Sequence, residues 1–205
     1  MKAEAVLAQG AQELGLALEP ERLQRLLAHM DLLLKWNRVY NLTAVRDPGE
    51  MLTHHLLDCL SVLPPLMRYT RGQALRVLDV GSGGGLPGAV LAICRPELDV
   101  TCVDTVAKKA AFIQQVAGTL GVSNLHSTHA RVESLSATWP LVISRAFASL
   151  ADSTLWSSAA LSFPAAITAS AALTASSSVA NSFLAWFAAW RSGRASLPGC
   201  SAKRR

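Results

Sequence analysis

The sequence predicts an α/β fold, a doubly wound and mainly parallel sheet with a helical cap at its amino-terminal side. Three observations carry this reading. An apolar strand runs into a glycine-rich turn and then an apolar helix in "RVLDVGSGGGLPGAVLAI", residues 76–93. After Gly72, short β-rich runs alternate with helical ones, the pattern of parallel strands joined by crossover helices. Ahead of Gly72, apolar residues recur at the spacing of a helix face.

In chain order, Leu23, Leu26, Leu27, Met30, Leu33 and Leu34 form the apolar stripe of a helix over 19–35. "KWNRVYNLTAVRDPGE" then reads as a polar and aromatic connector. Asp47, Pro48 and Glu50 supply an N-cap, a first-turn proline and a capping-box acid, so a second helix should run to about Leu63, where Pro64 and Pro65 end it. "ALRVLDV" is the first strand and "LPGAVLAICR" a helix closed by Pro96. "LDVTCVD" is the second strand, and "VAKKAAFIQQVAGTL" a helix with Gly121 at its C-terminal cap. "NLHSTHA" is a weaker strand and "PLVISRA" a stronger one.

These elements divide the chain into a cap over 1–71, an α/β core over 72–152 and a tail over 153–205. At 205 residues there is room for one such domain with an appendage. The net charge of +5 suits an acidic partner such as nucleic acid, but residues 1–152 are neutral and the excess lies wholly in the tail. That tail has no acid, and alanine and serine fill 26 of its 53 positions. Its serine clusters argue against a membrane span, and no stable fold is assigned to it. Cys59, Cys94, Cys102 and Cys200 show no paired or ligand-like spacing. "MKAEAVLAQG" places Glu4 ahead of any long apolar run, which argues against a secretory leader and for a reducing cytosol.

The glycine stretch is where chemistry enters. A strand, a glycine turn and a helix N-terminus present backbone N–H groups around an open crevice. Gly81, Gly83, Gly84, Gly85 and Gly88 supply clearance for a ligand there. Asp104 ends the next strand, where a carboxylate meets the ribose of a bound nucleoside. The pair implies an adenosine-containing cofactor. A dinucleotide fingerprint would need glycine at position 86, which is leucine, so a nicotinamide-dependent oxidoreductase is disfavoured. His54, His55 and Asp58 share a helix without a third convergent ligand, so no metal site is expected.

"LDVGSGGG" resembles the glycine signature of S-adenosylmethionine-dependent methyltransferases. "WNRVYNLTAV", "HHLLDCLSVLP", "DVGSGGGLPG", "VDTVAKKAAFIQQV", "ARVES" and "ISRAFASLAD" together resemble, in that order, the RsmG (GidB) family of 16S ribosomal RNA guanine-N7 methyltransferases. The resemblance covers about Leu14 to Asp152. It implies a class I, Rossmann-like methyltransferase fold, S-adenosyl-L-methionine as cofactor, and 16S ribosomal RNA or the small ribosomal subunit as partner. It further implies a bacterial cytoplasmic protein, expected to be a monomer without stable membrane association.

Carried over by position, Gly81, Leu86, Val132, Glu133 and Arg145 would contact the cofactor, beside Gly83, Gly85 and Asp104 from the reasoning above. For RNA, the candidates are Lys35, Trp36, Arg38, Tyr40 and Asn41, aromatic and cationic groups mixed on the connector. "SRAF" at 144–147 lacks the Asn/Asp-Pro-Pro-aromatic stretch of exocyclic-amine enzymes and the cysteine of cytosine-C5 chemistry. Beyond Asp152 the motifs stop, which suggests a change of reading frame there and a sheet whose fourth strand is left with an open edge.

Overall fold

The computed structural model describes residues 3–145 and 166–169. Helices α1 (Ala3–Glu13) and α2 (Pro20–Tyr40) open the chain. A broken helical run follows: α3 (Pro48–Met51), a π-helical segment (Leu52–Leu57), α4 (Asp58–Leu60) and α5 (Leu63–Thr70). The core then alternates β1 (Leu75–Val80), α6 (Gly88–Cys94), β2 (Leu98–Asp104), α7 (Ala107–Leu120), β3 (Leu125–His129) and β4 (Leu141–Arg145). A fifth strand, β5, spans Ala166–Ala169.

The sheet order is β3-β2-β1-β4-β5, with every pairing parallel. The chain starts at β1, winds out to β3 and returns beside β1 as β4. The order therefore reverses between β1 and β4, the place where an open α/β sheet leaves a crevice at its carboxyl ends. Val80 is in register with Val103 on one side and Ser144 on the other, so Gly81, Asp104 and Arg145 all stand at that edge.

Three expectations need correction. The helix expected over 19–35 does not stop at Lys35: α2 runs to Tyr40, ending where Asn41 turns left-handed at φ 49°. Trp36 and Tyr40 therefore sit on helix rather than on a loop. Pro64 and Pro65 lie in the first turn of α5 instead of ending the run, because a proline that stops one helix is equally suited to start the next. The edge of β4 is not open: β5 pairs with it from Val142↔Ala166 to Arg145↔Ala169, within a stretch to which no stable fold was assigned. The rest of the expected tail, apart from β5, lies outside the described residues.

Helix α6 is buried along its whole length. It packs on the sheet face carrying Asp79 and Cys102, since a Cβ added at Gly88 would lie 2.5 Å from Cys102 Sγ and 2.7 Å from Asp79 Oδ2. The opposite face holds an apolar cluster of Leu78, Val80, Val103, Val132, Trp139 and Val142. The cap reaches the glycine turn through α2: a Cβ at Gly84 would lie 2.7 Å from Leu33 Cδ1. Gly84 and Gly88 thus lie close against the protein's own side chains. Gly88→Ala is expected to lose about 2 kcal/mol in urea unfolding, the usual cost of overfilling a tight core. An unchanged midpoint would mean that α6 can slide off the sheet at no cost.

Candidate functional site

The glycine turn leaves β1 with Gly81 at φ 69° and Gly83 at φ 56°, backbone shapes that a side chain resists. Gly81 N–H donates to Val103 O at 2.9 Å, which folds the turn over the end of β2. Gly83 N–H donates to Asp104 Oδ2 at 3.1 Å, and Val106 N–H to Asp104 Oδ1 at 2.9 Å. The buried Asp104 carboxylate therefore ties the two loops that follow β1 and β2, with Lys109 Nζ 3.8 Å from it.

Gly81, Asp104, Val132 and Glu133 line one half-open cleft, joined by Val80 and Val103 at its base. The 3-10 turn Val132–Ser134 forms its far wall, with Val132 buried and Glu133 exposed. Gly83 borders this cleft through its bond to Asp104. Gly85 and Leu86 do not line it: both are buried, and a Cβ at Gly85 would lie 3.0 Å from Ala89 Cβ.

Arg145 lies at the same sheet edge but turns to the cap. Its Nη1 donates to Asp58 Oδ2 and to His54 O, each at 3.0 Å, and its Nη2 lies 3.5 Å from His55 Nδ1. Both members of the Arg145–Asp58 pair are largely shielded from solvent, with 12% and 15% of their side chains exposed. Among the described residues no group of three His, Cys, Asp or Glu side chains is placed to hold a metal ion.

Two buried side chains frame the turn from behind: His29, which the apolar stripe of α2 conceals in the sequence, and Asp79, the acid that precedes the glycines. His29, fully buried on α2, has Nε2 2.9 Å from Gly84 O. A carbonyl only accepts, so Nε2 carries the proton and donates, and Nδ1 has no partner among the described residues. Burial drives the His29 pKa down to about 4, against the favourable bond to Gly84. Asp79 is fully buried at the end of β1, accepting from Gly88 N–H at 2.8 Å. Burial raises its pKa to about 7, although the Gly88 bond and the Arg145 charge pull the other way.

The RNA candidates divide. Trp36 is half-buried and meets Phe112 of α7 edge-on, with centroids 5.4 Å apart, so it seals the cap onto the core. Tyr40 is exposed, and Lys108 Nζ stands 5.2 Å from its ring centroid. Lys35, Arg38 and Asn41 are exposed, with Arg46 Nη2 donating to Asn41 Oδ1 at 3.4 Å. The loop after Asn41 abuts the glycine turn, since Leu42 O lies 3.9 Å from a Cβ placed on Gly83.

The residues present suit an adenosine-bearing sulfonium cofactor. The cleft combines an apolar base, a carboxylate and a turn open to backbone approach. Asp79 Oδ1 and Ser82 Oγ are buried at that turn without hydrogen-bond partners among the described residues.

Comparison with known proteins bears on what this site belongs to. Ribosomal RNA small subunit methyltransferase G of Acidovorax sp. (strain JS42) is 63% identical over 166 residues, covering 77% of this chain and 74% of the relative. The enzyme of the same description from Paracidovorax citrulli is 58% identical over 168 residues, covering 77% and 69%. Among solved structures, magnesium protoporphyrin IX methyltransferase from Synechocystis PCC 6803 with bound S-adenosylmethionine is similar at 22% identity, 64% coverage of each chain and a TM-score of 0.44. The family model for GidB, rRNA small subunit methyltransferase G, matches residues 22–174. The match begins later than Leu14 and continues past Asp152, so family likeness reaches farther than the quoted motifs do. With most of the chain matched, and with relatives this similar over most of their own length, the chain belongs to the GidB family, the rRNA small subunit methyltransferases G.

Proposed function

We propose that the chain uses S-adenosylmethionine to methylate N7 of a guanine in the decoding region of 16S ribosomal RNA, as a monomer in the bacterial cytoplasm. The observation that carries the reading is the meeting of the cleft and the cap's exposed aromatic and cationic groups at one glycine turn. Among the described residues, no helix is long and apolar enough to cross a membrane.

When bound, S-adenosylmethionine supplies a methyl group already activated by its sulfonium charge. The work left to the chain is alignment and exclusion of water. Asp104 would accept from ribose hydroxyls, Gly81 and Gly83 would let the backbone approach, and Val132 with Glu133 would border the adenine. Val80 and Val103 keep the base of the cleft dry. Guanine N7 offers a free lone pair, so no side chain has to remove a proton. Tyr40 would stack on a base while Lys35, Arg38 and Lys108 meet phosphates.

Incubation with methyl-labelled S-adenosylmethionine and small subunits lacking the modification tests this directly. Labelled 7-methylguanosine in 16S RNA is the expected product. Label in another nucleoside, or none while a family enzyme works in parallel, would overturn the assignment.

A further inference from the structure

We propose that His55 is a positioning residue: it joins Arg145, at the end of β4, to the loop of the cap that faces RNA, and so sets the two sides of the site against each other. The inference rests on the methyltransferase reading above and adds to it how the halves are kept in register.

The bonding pattern fixes what His55 does. Arginine can only donate, so the 3.5 Å contact from Arg145 Nη2 requires Nδ1 of His55 to be the bare acceptor. The proton of the neutral ring then sits on Nε2, which donates to Thr43 Oγ1 at 2.8 Å. Burial lowers the His55 pKa and the Arg145 charge adds to this, while the His54 backbone and the Asp58 carboxylate pull the other way. His55 is only 6% exposed, so water does not compete well for either contact.

Beyond Thr43 the chain of contacts enters the loop that carries the RNA candidates. Thr43 Oγ1 accepts from Val45 N–H at 3.2 Å, and Thr43 N–H donates to Asn37 Oδ1 at 2.9 Å. Asn37 Nδ2 closes the turn by donating to Val45 O at 3.3 Å. This pinned turn begins next to Tyr40 and Asn41. On the other side, Arg145 Nη1 is held by Asp58 Oδ2 and His54 O. The π-helical segment that brings His54 O and the His55 ring to the same guanidinium is an uncommon geometry, frequent at functional sites.

Two near-isosteres separate the two contacts. His55→Asn keeps an acceptor near the place of Nδ1 but cannot reach Thr43, whereas His55→Gln offers an N–H toward Thr43 and loses the acceptor facing Arg145. His55→Asn is expected to raise KM for the small subunit about fivefold or more with kcat within twofold. His55→Gln is expected to lower kcat about tenfold with that KM within twofold. Thr43→Val should reproduce the asparagine variant and Thr43→Ser should restore the wild-type value.

Wild-type kinetics in both histidine variants, or the same loss of kcat and KM in both, would overturn the coupling. A folding defect would appear as a lowered melting temperature, and the Thr43 pair then decides. If the wild-type chain itself transfers no methyl group, the methyltransferase reading fails on its own. Nitrogen-15 NMR of the imidazoles then still tests the geometry: a neutral Nε2–H ring at pH 7 supports it, and an Nδ1–H or doubly protonated ring refutes it.

Discussion

Asp104→Ala is expected to weaken binding of S-adenosylhomocysteine at least about 100-fold in calorimetric titration. The carboxylate is buried at the junction of the two loops, and hydrogen bonds to a charged group are each worth about 1.5–3 kcal/mol. Losing two of them corresponds to about 3 kcal/mol or more, hence at least 100-fold in affinity. The substitution also frees the N–H groups of Gly83 and Val106, which now donate to Asp104. Asp104→Asn retains one acceptor for these, so it should fall between the two. Lys109 is close enough to the carboxylate to share its charge, so Lys109→Met should shift affinity far less than either. Binding of Asp104→Ala within a few fold of wild type would remove Asp104 from the site and with it the assignment of the cleft.

What could be read in advance was what short-range pattern encodes. The turn of β1 into α6 is written in consecutive residues, and Asp104 follows from strand order once the sheet is parallel. The partners of Arg145 were not readable, because Asp58 lies 87 residues away and only tertiary packing brings it near. His29 looked like one more position on an apolar stripe, although its ring is aimed at Gly84, 55 residues on. Glycines show a further limit. Gly81 lines the cleft and a Cβ at Gly83 would meet nothing nearer than 3.9 Å, while Gly84, Gly85 and Gly88 lie against the protein interior, yet in sequence the five look alike. The π-helical segment Leu52–Leu57 has the composition of an ordinary helix, and the Arg145 and Thr43 side chains it meets come from other parts of the chain. Strand β5 is small and alanine-rich, so it carried no alternation to identify it.

Asp79→Asn is expected to leave stability unchanged near pH 4 and raise it by up to about 4 kcal/mol at pH 8. The reason lies in linkage. Asp79 has its pKa raised from 3.8 to about 7 in the folded chain. Between those values the unfolded state is ionised and the folded state keeps its proton. Stability therefore falls as pH rises through this window, by about 1.4 kcal/mol per unit, and the loss is complete above pH 7. His29 works in the opposite sense, with its pKa lowered from 6.5 to about 4. There the unfolded state holds the extra proton, so stability is full above pH 6.5 and is lost as pH falls toward 4. The two slopes oppose each other between pH 4 and 6.5, and the wild-type chain should be nearly indifferent to these two groups across that range. Asparagine at position 79 removes one slope and exposes the other, so the variant's stability should climb steeply from pH 4 to 6.5. Urea unfolding of both chains at pH 4.5, 6 and 8 measures this. A difference between variant and wild type that is the same at all three pH values would mean that Asp79 is ionised in the folded chain throughout, held so by Gly88 N–H and Arg145. A difference that grows with pH would mean that the acid is kept behind the glycine turn against the interest of stability, near Ser82 Oγ, which has no hydrogen-bond partner among the described residues.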